Sequence, residues 1–120
     1  MKKNRIIKVN DEIQKEIAGI IRGELNDPRI HGIVSVVNVD TTADLKFCKV
    51  HIGVLGDEKT KEEVFESVKN AGGYIRKLIA ERINLRQTPQ LIFVFDDSLE
   101  RSIYMAKLID EVNKNNENSN

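Results

Sequence analysis

Three side chains offer a thiol or an imidazole to a metal: His31, Cys48 and His51. Cys48 and His51 lie three apart in a stretch that alternates like a strand, so they point to opposite faces and cannot share an ion. Acid–base chemistry would need paired carboxylates. Asp96, Asp97 and Glu100 cluster, but Asp97 and Glu100 have the spacing of a helix capping box. Asp40 and Asp44 flank a predicted turn, where aspartate is a common turn former. There is no Gly-x-Ser-x-Gly nucleophile elbow and no Gly-x-x-x-x-Gly-Lys phosphate loop. The residues therefore predict no catalytic site, no metal site and no cofactor.

A different pattern stands at Asn70-Ala71-Gly72-Gly73-Tyr74-Ile75-Arg76. Val64, Phe65 and Val68 recur at helical spacing before it, and Ile75, Leu78, Ile79 and Ile83 after it. Val68 and Ile75 are about two helical turns apart, so one apolar stripe crosses the glycines. A glycine inside a helix costs about 1 kcal/mol relative to alanine. Two in a row predict a kink between helices that share a core, with Gly72 on the buried side and Gly73 on the wet side. Lys69, Gly73, Arg76 and Lys77 share the solvent face. Such a kink either only shapes the packing or offers a phosphate chain a place to touch down.

The 120 residues fit one domain, taken as 1–113 with a short polar and disordered tail at 114–120. Lysine plus arginine (19) equals aspartate plus glutamate (19), so net charge does not point to a polyanion and any nucleic-acid contact must rest on local charge. Local charge is polarised. Arg76, Lys77, Arg82 and Arg86 face only Glu81 between residues 71 and 90, and Lys2, Lys3, Arg5 and Lys8 open the chain without an acid. A single cysteine excludes an internal disulfide, and no apolar run is long enough to span a membrane. With no signal-peptide pattern either, a soluble cytoplasmic protein is expected.

The elements that position these groups follow from periodicity. Residues 3–26 form an amphipathic helix through Ile6, Val9, Ile13, Ile17, Ile20, Ile21 and Leu25, stopped by Asp27-Pro28. Residues 32–40 and 46–54 read as an antiparallel hairpin, with Cys48, Val50, Ile52 and Val54 facing the core. Helix 2 runs from Glu58 to about Asn70, helix 3 from Gly73 to Asn84, and strand 3 over 90–96. A last helix carries Ile103, Leu108, Ile109 and Val112. The result is an α+β fold, α-β-β-α-kink-α-β-α, with a three-stranded sheet covered by helices on one face. Aromatic side chains are too few and too core-like for a base-stacking sheet face. Docking of a protein partner through acidic helix 2 and the last helix is the alternative to RNA contact.

The order and the kink resemble the type II KH domain, which carries Gly-x-x-Gly at this junction and clamps about four nucleotides there. Ala71-Gly72-Gly73 is an Ala-x-Gly variant. With Arg5-Ile6, Glu16-Ile17, Asp27-Pro28-Arg29, Asp44-Leu45-Lys46, Lys49-Val50, Leu85-Arg86-x-x-Pro89-x-Leu91-x-Phe93 and Asp97-Ser98, it is similar to the ribosome-binding factor A family. The resemblance implies a non-enzymatic, monomeric assembly factor. Such a factor binds the free or immature 30S subunit and its 16S rRNA, supports maturation of the 5′ end region, and matters most in cold growth. An assembly GTPase that promotes release is implied as an indirect partner. RNA contact is expected at Ala71, Gly72, Gly73, Arg76, Lys77, Arg82, Arg86, Arg5 and Lys8. Arg29 either joins them or pairs with Asp27. Two features depart from the family: the tail after Lys114 has few cations, and Cys48 lies in the core-facing row of strand 2.

Overall fold

A computed structural model describes residues 2–118, with side chains placed for residues 5–116. Helix α1 spans Lys2–Gly23 and buries Val9, Ile13, Ile17, Ile20 and Ile21. It stops at Gly23, earlier than the expected residue 26. The Glu24 and Leu25 amides still reach the Ile20 carbonyl, and the chain then turns through Asp27-Pro28. Asp27 does not cap anything there; its carboxylate takes Arg29 at 2.8 and 3.0 Å, so Arg29 is held in a local ion pair.

Strand β1 (Val34–Thr41) pairs antiparallel with β2 (Phe47–Val54), as the alternation predicts. The register slips between Val36 and Asn38, leaving Val37 as a bulge. One extra residue resets the two-residue period, which is why Val36 and Val39 both reach the core despite odd spacing. Beyond helices α2 (Glu58–Asn70) and α3 (Gly72–Arg82), strand β3 (Gln90–Phe95) joins β2 in parallel, giving the mixed order β1-β2-β3. Asp57 caps α2 by accepting the Thr60 amide at 2.8 Å.

The core forms where α1, α2 and α3 cover one face of this sheet. Ile13, Ile17 and Ile20 meet Cys48, Val50 and Ile52, and Val64, Val68, Ile75 and Ile79 close it. Burial pushes the Cys48 thiol up, so its reactive thiolate is suppressed at neutral pH. A thiol reagent is accordingly expected to leave the native protein unlabelled and to modify Cys48 once the chain is unfolded. Rapid labelling of the native protein would contradict this packing.

Helix α4 (Ser98–Asn118) begins on the other face of the sheet. A side chain at Gly53 would meet Val37 at 3.1 Å and the Asp96 carbonyl at 3.4 Å, so glycine lets the start of α4 lie close to β2. The Asp97-x-x-Glu100 box does not form as the spacing predicts. Asp97 pairs with Arg101, while Glu100 reaches the buried Lys61 of α2. The longer-range ion pair takes Glu100 away from its own backbone and ties α4 to α2. Farther on, Tyr104, Met105, Ile109 and Val112 stay exposed, and the helix continues to Asn118 into the segment expected to be a disordered tail. Residues 119–120 lie outside the described residues.

Candidate nucleic-acid interface

The kink is one residue wide. Ala71 has φ −82° and ψ 2°, well away from helical ψ, and its amide is shared between the Ser67 (3.2 Å) and Val68 (3.1 Å) carbonyls. One residue later α3 is under way, with the Ile75 amide on the Ala71 carbonyl at 2.9 Å. Neither glycine of the kink has a positive φ. Their use lies in the missing side chains. A Cβ on Gly72 would sit 3.0 Å from the Phe93 ring, whereas one on Gly73 would meet nothing within 4 Å. The buried and wet assignments of the two glycines are therefore those expected. Lys69, Gly73, Arg76 and Lys77 are all exposed on the outer face.

The four cations that follow the kink do not form one free face. Arg76 donates from Nε to the Pro89 carbonyl (3.1 Å) and from Nη2 to the Thr88 carbonyl (2.9 Å). It fastens the loop before β3 to α3. Arg82 reaches back to α1 and the residue that follows it, where Nη1 lies 2.6 Å from Glu24 Oε2 and 3.5 Å from Glu16 Oε2, and Nη2 bonds Glu24 Oε1. These two acids offset its charge. Lys77 has no such partner among the described residues, nor has Lys69.

The Arg82 hydrogen bond holds the Glu24 carboxyl below its usual 4.5. A depressed pKa means that the tie contributes fully above that value and is lost as pH falls through the folded pKa. The melting temperature of Glu24→Gln is expected to fall below wild type at about pH 7, with the gap closing as the pH falls below the ordinary carboxylate value and Glu24 takes up its proton. A gap that persists in acid would show that the pair is not its source.

Arg86 joins neither partner set. It lies with Arg5 and Lys8 along a groove of about 710 Å³ between the start of α1, the β1–β2 turn and the loop before β3. Thus the nine residues expected at an RNA contact fall into three groups: a kink with Lys77 beside it, two arginines that hold the fold, and a separate basic groove. Sequence reasoning had no means of finding the groove, because its walls come from three segments far apart in the chain. Among the described residues no group of three His, Cys, Asp or Glu side chains gathers around a point. No helix there is long and apolar enough to cross a membrane.

The family model described as Ribosome-binding factor A matches residues 5–109. The chain belongs to the ribosome-binding factor A family. That family is one of non-catalytic ribosome-binding factors. A ribosome-binding factor A from Agathobacter rectalis is 48% identical over 117 residues, covering 96% of this chain and 97% of its own. The fold is shared with the crystal structure of ribosome-binding factor A from Thermus thermophilus, at a TM-score of 0.65 and 21% identity over 75% of this chain and 93% of that one. It is shared too with a Thermus thermophilus ribosome binding factor A homology model fitted into the cryo-EM map of a 30S–RbfA complex. There the TM-score is 0.60 with 22% identity, covering 73% of this chain and 91% of that one. The matched span of the ribosome-binding factor A family takes in the kink, the basic groove and both structural arginines.

Proposed function

We propose that this chain binds the 30S ribosomal subunit during its assembly and supports maturation of the 5′ end region of 16S rRNA without catalysing a reaction. The observation that carries the reading is the family match over residues 5–109, joined to a relative's placement in a 30S complex. RNA contact is assigned to the Ala71-Gly72-Gly73 kink, where an open backbone at Gly73 stands between the free cations Lys69 and Lys77. Backbone-clamping contact of this kind positions an RNA strand without reading its bases. Arg76 and Arg82 act by shaping that surface; Arg5, Lys8 and Arg86 supply charge at the groove. Residues 1–113 act as one cytoplasmic, monomeric unit, with an assembly GTPase as an indirect partner in release. The role is most demanding in the cold, where misfolded RNA helices are slow to rearrange.

Sedimentation of cell lysates tests the proposal. The protein is expected to travel with free small subunits and to be absent from translating ribosomes. Sedimentation only at the top of the gradient, in the cold as well as in warm growth, would overturn it.

A further inference from the structure

The groove beside Arg5, Lys8 and Arg86 has more than a phosphate needs. Its floor is apolar, made by Ile6 and Val9 of α1, Leu45 of the β1–β2 turn and Leu85 after α3. Its rim carries the three cations, none of which has an ion-pair partner among the described residues. The amides of Asn84 and Gln87 complete the rim. Leu45 stands at φ 62°, the only non-glycine with a positive φ among the described residues. A left-handed leucine is strained, and the turn holds it there: Asp44 accepts from the Thr42 hydroxyl (2.7 Å) and the Lys46 amide (3.0 Å). The strain places an apolar side chain at the groove where glycine or asparagine would relieve the backbone.

Two acids also line the groove. Asp44 is occupied by the turn, but Glu12 has no hydrogen-bond partner among the described residues. A free carboxylate repels a bare phosphate. It suits a ligand that presents an amino group in one part and an anion in another. An apolar floor, a cationic rim and one acceptor-only side chain together match a nucleotide with its base laid in and its phosphate outside. The volume of about 710 Å³ falls in the range of small-ligand sites.

We propose that this groove seats one unstacked nucleotide of a single-stranded RNA segment, with its base on the Ile6–Leu45–Leu85 floor and its flanking phosphates on Arg5, Lys8 and Arg86. Splayed-out bases in single strands are the usual objects of sequence-selective RNA recognition. Glu12 accepts from the exocyclic amino group of adenine, cytosine or guanine, and uracil has none to offer. The proposal rests on the RNA-binding reading above but assigns a contact separate from the kink.

The test is a fluorescence-anisotropy titration of the full chain with labelled five-nucleotide oligo(A), oligo(C) and oligo(U) RNA and a blunt RNA duplex. Oligo(A) and oligo(C) should bind several-fold more tightly than oligo(U) and than the duplex, a gap that Glu12→Gln narrows. Arg86→Glu should weaken the oligonucleotides about tenfold or more. Leu45→Gly should also weaken them, and because Leu45 packs against the core as well as lining the groove, binding is compared at a temperature where melts show the variant fully folded. The proposal is overturned if duplex and single strands bind alike, or if binding responds to Lys77→Glu but to neither Arg86→Glu nor Leu45→Gly. Sedimentation separates this from the proposed function. A protein that travels with small subunits yet binds no oligonucleotide loses the groove and keeps the function; one that binds oligonucleotides but never meets small subunits does the reverse.

Discussion

Gly72→Leu is expected to destabilise the fold by about 1–3 kcal/mol, because a side chain there must displace the Phe93 ring. The ring sits 3.0 Å from where a Cβ would be, and Phe93 packs against the buried core. Displacement would spread to the pairing of β3 with β2, since Phe93 lies opposite the fully buried Val50. Gly73→Ala is the matched control. Nothing lies within 4 Å of its new Cβ, so stability should stay within about 0.5 kcal/mol of wild type. Thermal or urea melts of the two variants decide the point. Equal losses would mean that the glycines are interchangeable and that the kink is not set by contact with Phe93.

The second large effect concerns binding. Lys69→Glu combined with Lys77→Glu should weaken association with 30S subunits or 16S rRNA by roughly ten- to a hundredfold at low salt. Removing two phosphate contacts should also flatten the logarithmic salt dependence by about 1.4–1.8. These lysines are suited to the test because both are exposed and neither is hydrogen-bonded within the fold. Arg76 is not. Reversing its charge would release the Thr88 and Pro89 carbonyls, and a loss of binding would then mix contact with misplacement of the loop. Melting temperatures near wild type, measured on the same protein, keep the reading clean. An unchanged salt slope would remove the kink face from the interface.

Most of the architecture could be read from periodicity. Helix α2 begins and ends where the sequence puts it, because Asp57 is a strong cap and the glycines follow directly. The core row of β2 is visible as Cys48, Val50, Ile52 and Val54. The bulge at Val37 was not, because a run of β-branched residues looks the same in or out of register. Strand order was equally hidden, since parallel pairing of β3 with β2 depends on how two helices cross the sheet. At the candidate site, sequence identifies cations but not their partners. Lys77 and Arg76 are neighbours in the same basic run, yet one is free and the other holds a loop. Arg82 meets Glu16 and Glu24 only because α1 and α3 pack side by side. Leu45 gave no sign of its left-handed backbone, because leucine is not a residue that turns select for it. The apolar residues of α4 do not show in sequence which of them are covered: Leu99 packs beside Gly53 at the sheet, whereas Tyr104, Met105, Ile109 and Val112 are exposed.

A residue-level crosslinking map of the protein on the small ribosomal subunit tests the central claim most directly. Crosslinks to 16S rRNA are expected from the Lys69–Gly73–Lys77 face and from the groove at Arg5, Lys8 and Arg86. Crosslinks confined to ribosomal proteins and reached through α2 and α4, with the kink silent, would contradict it.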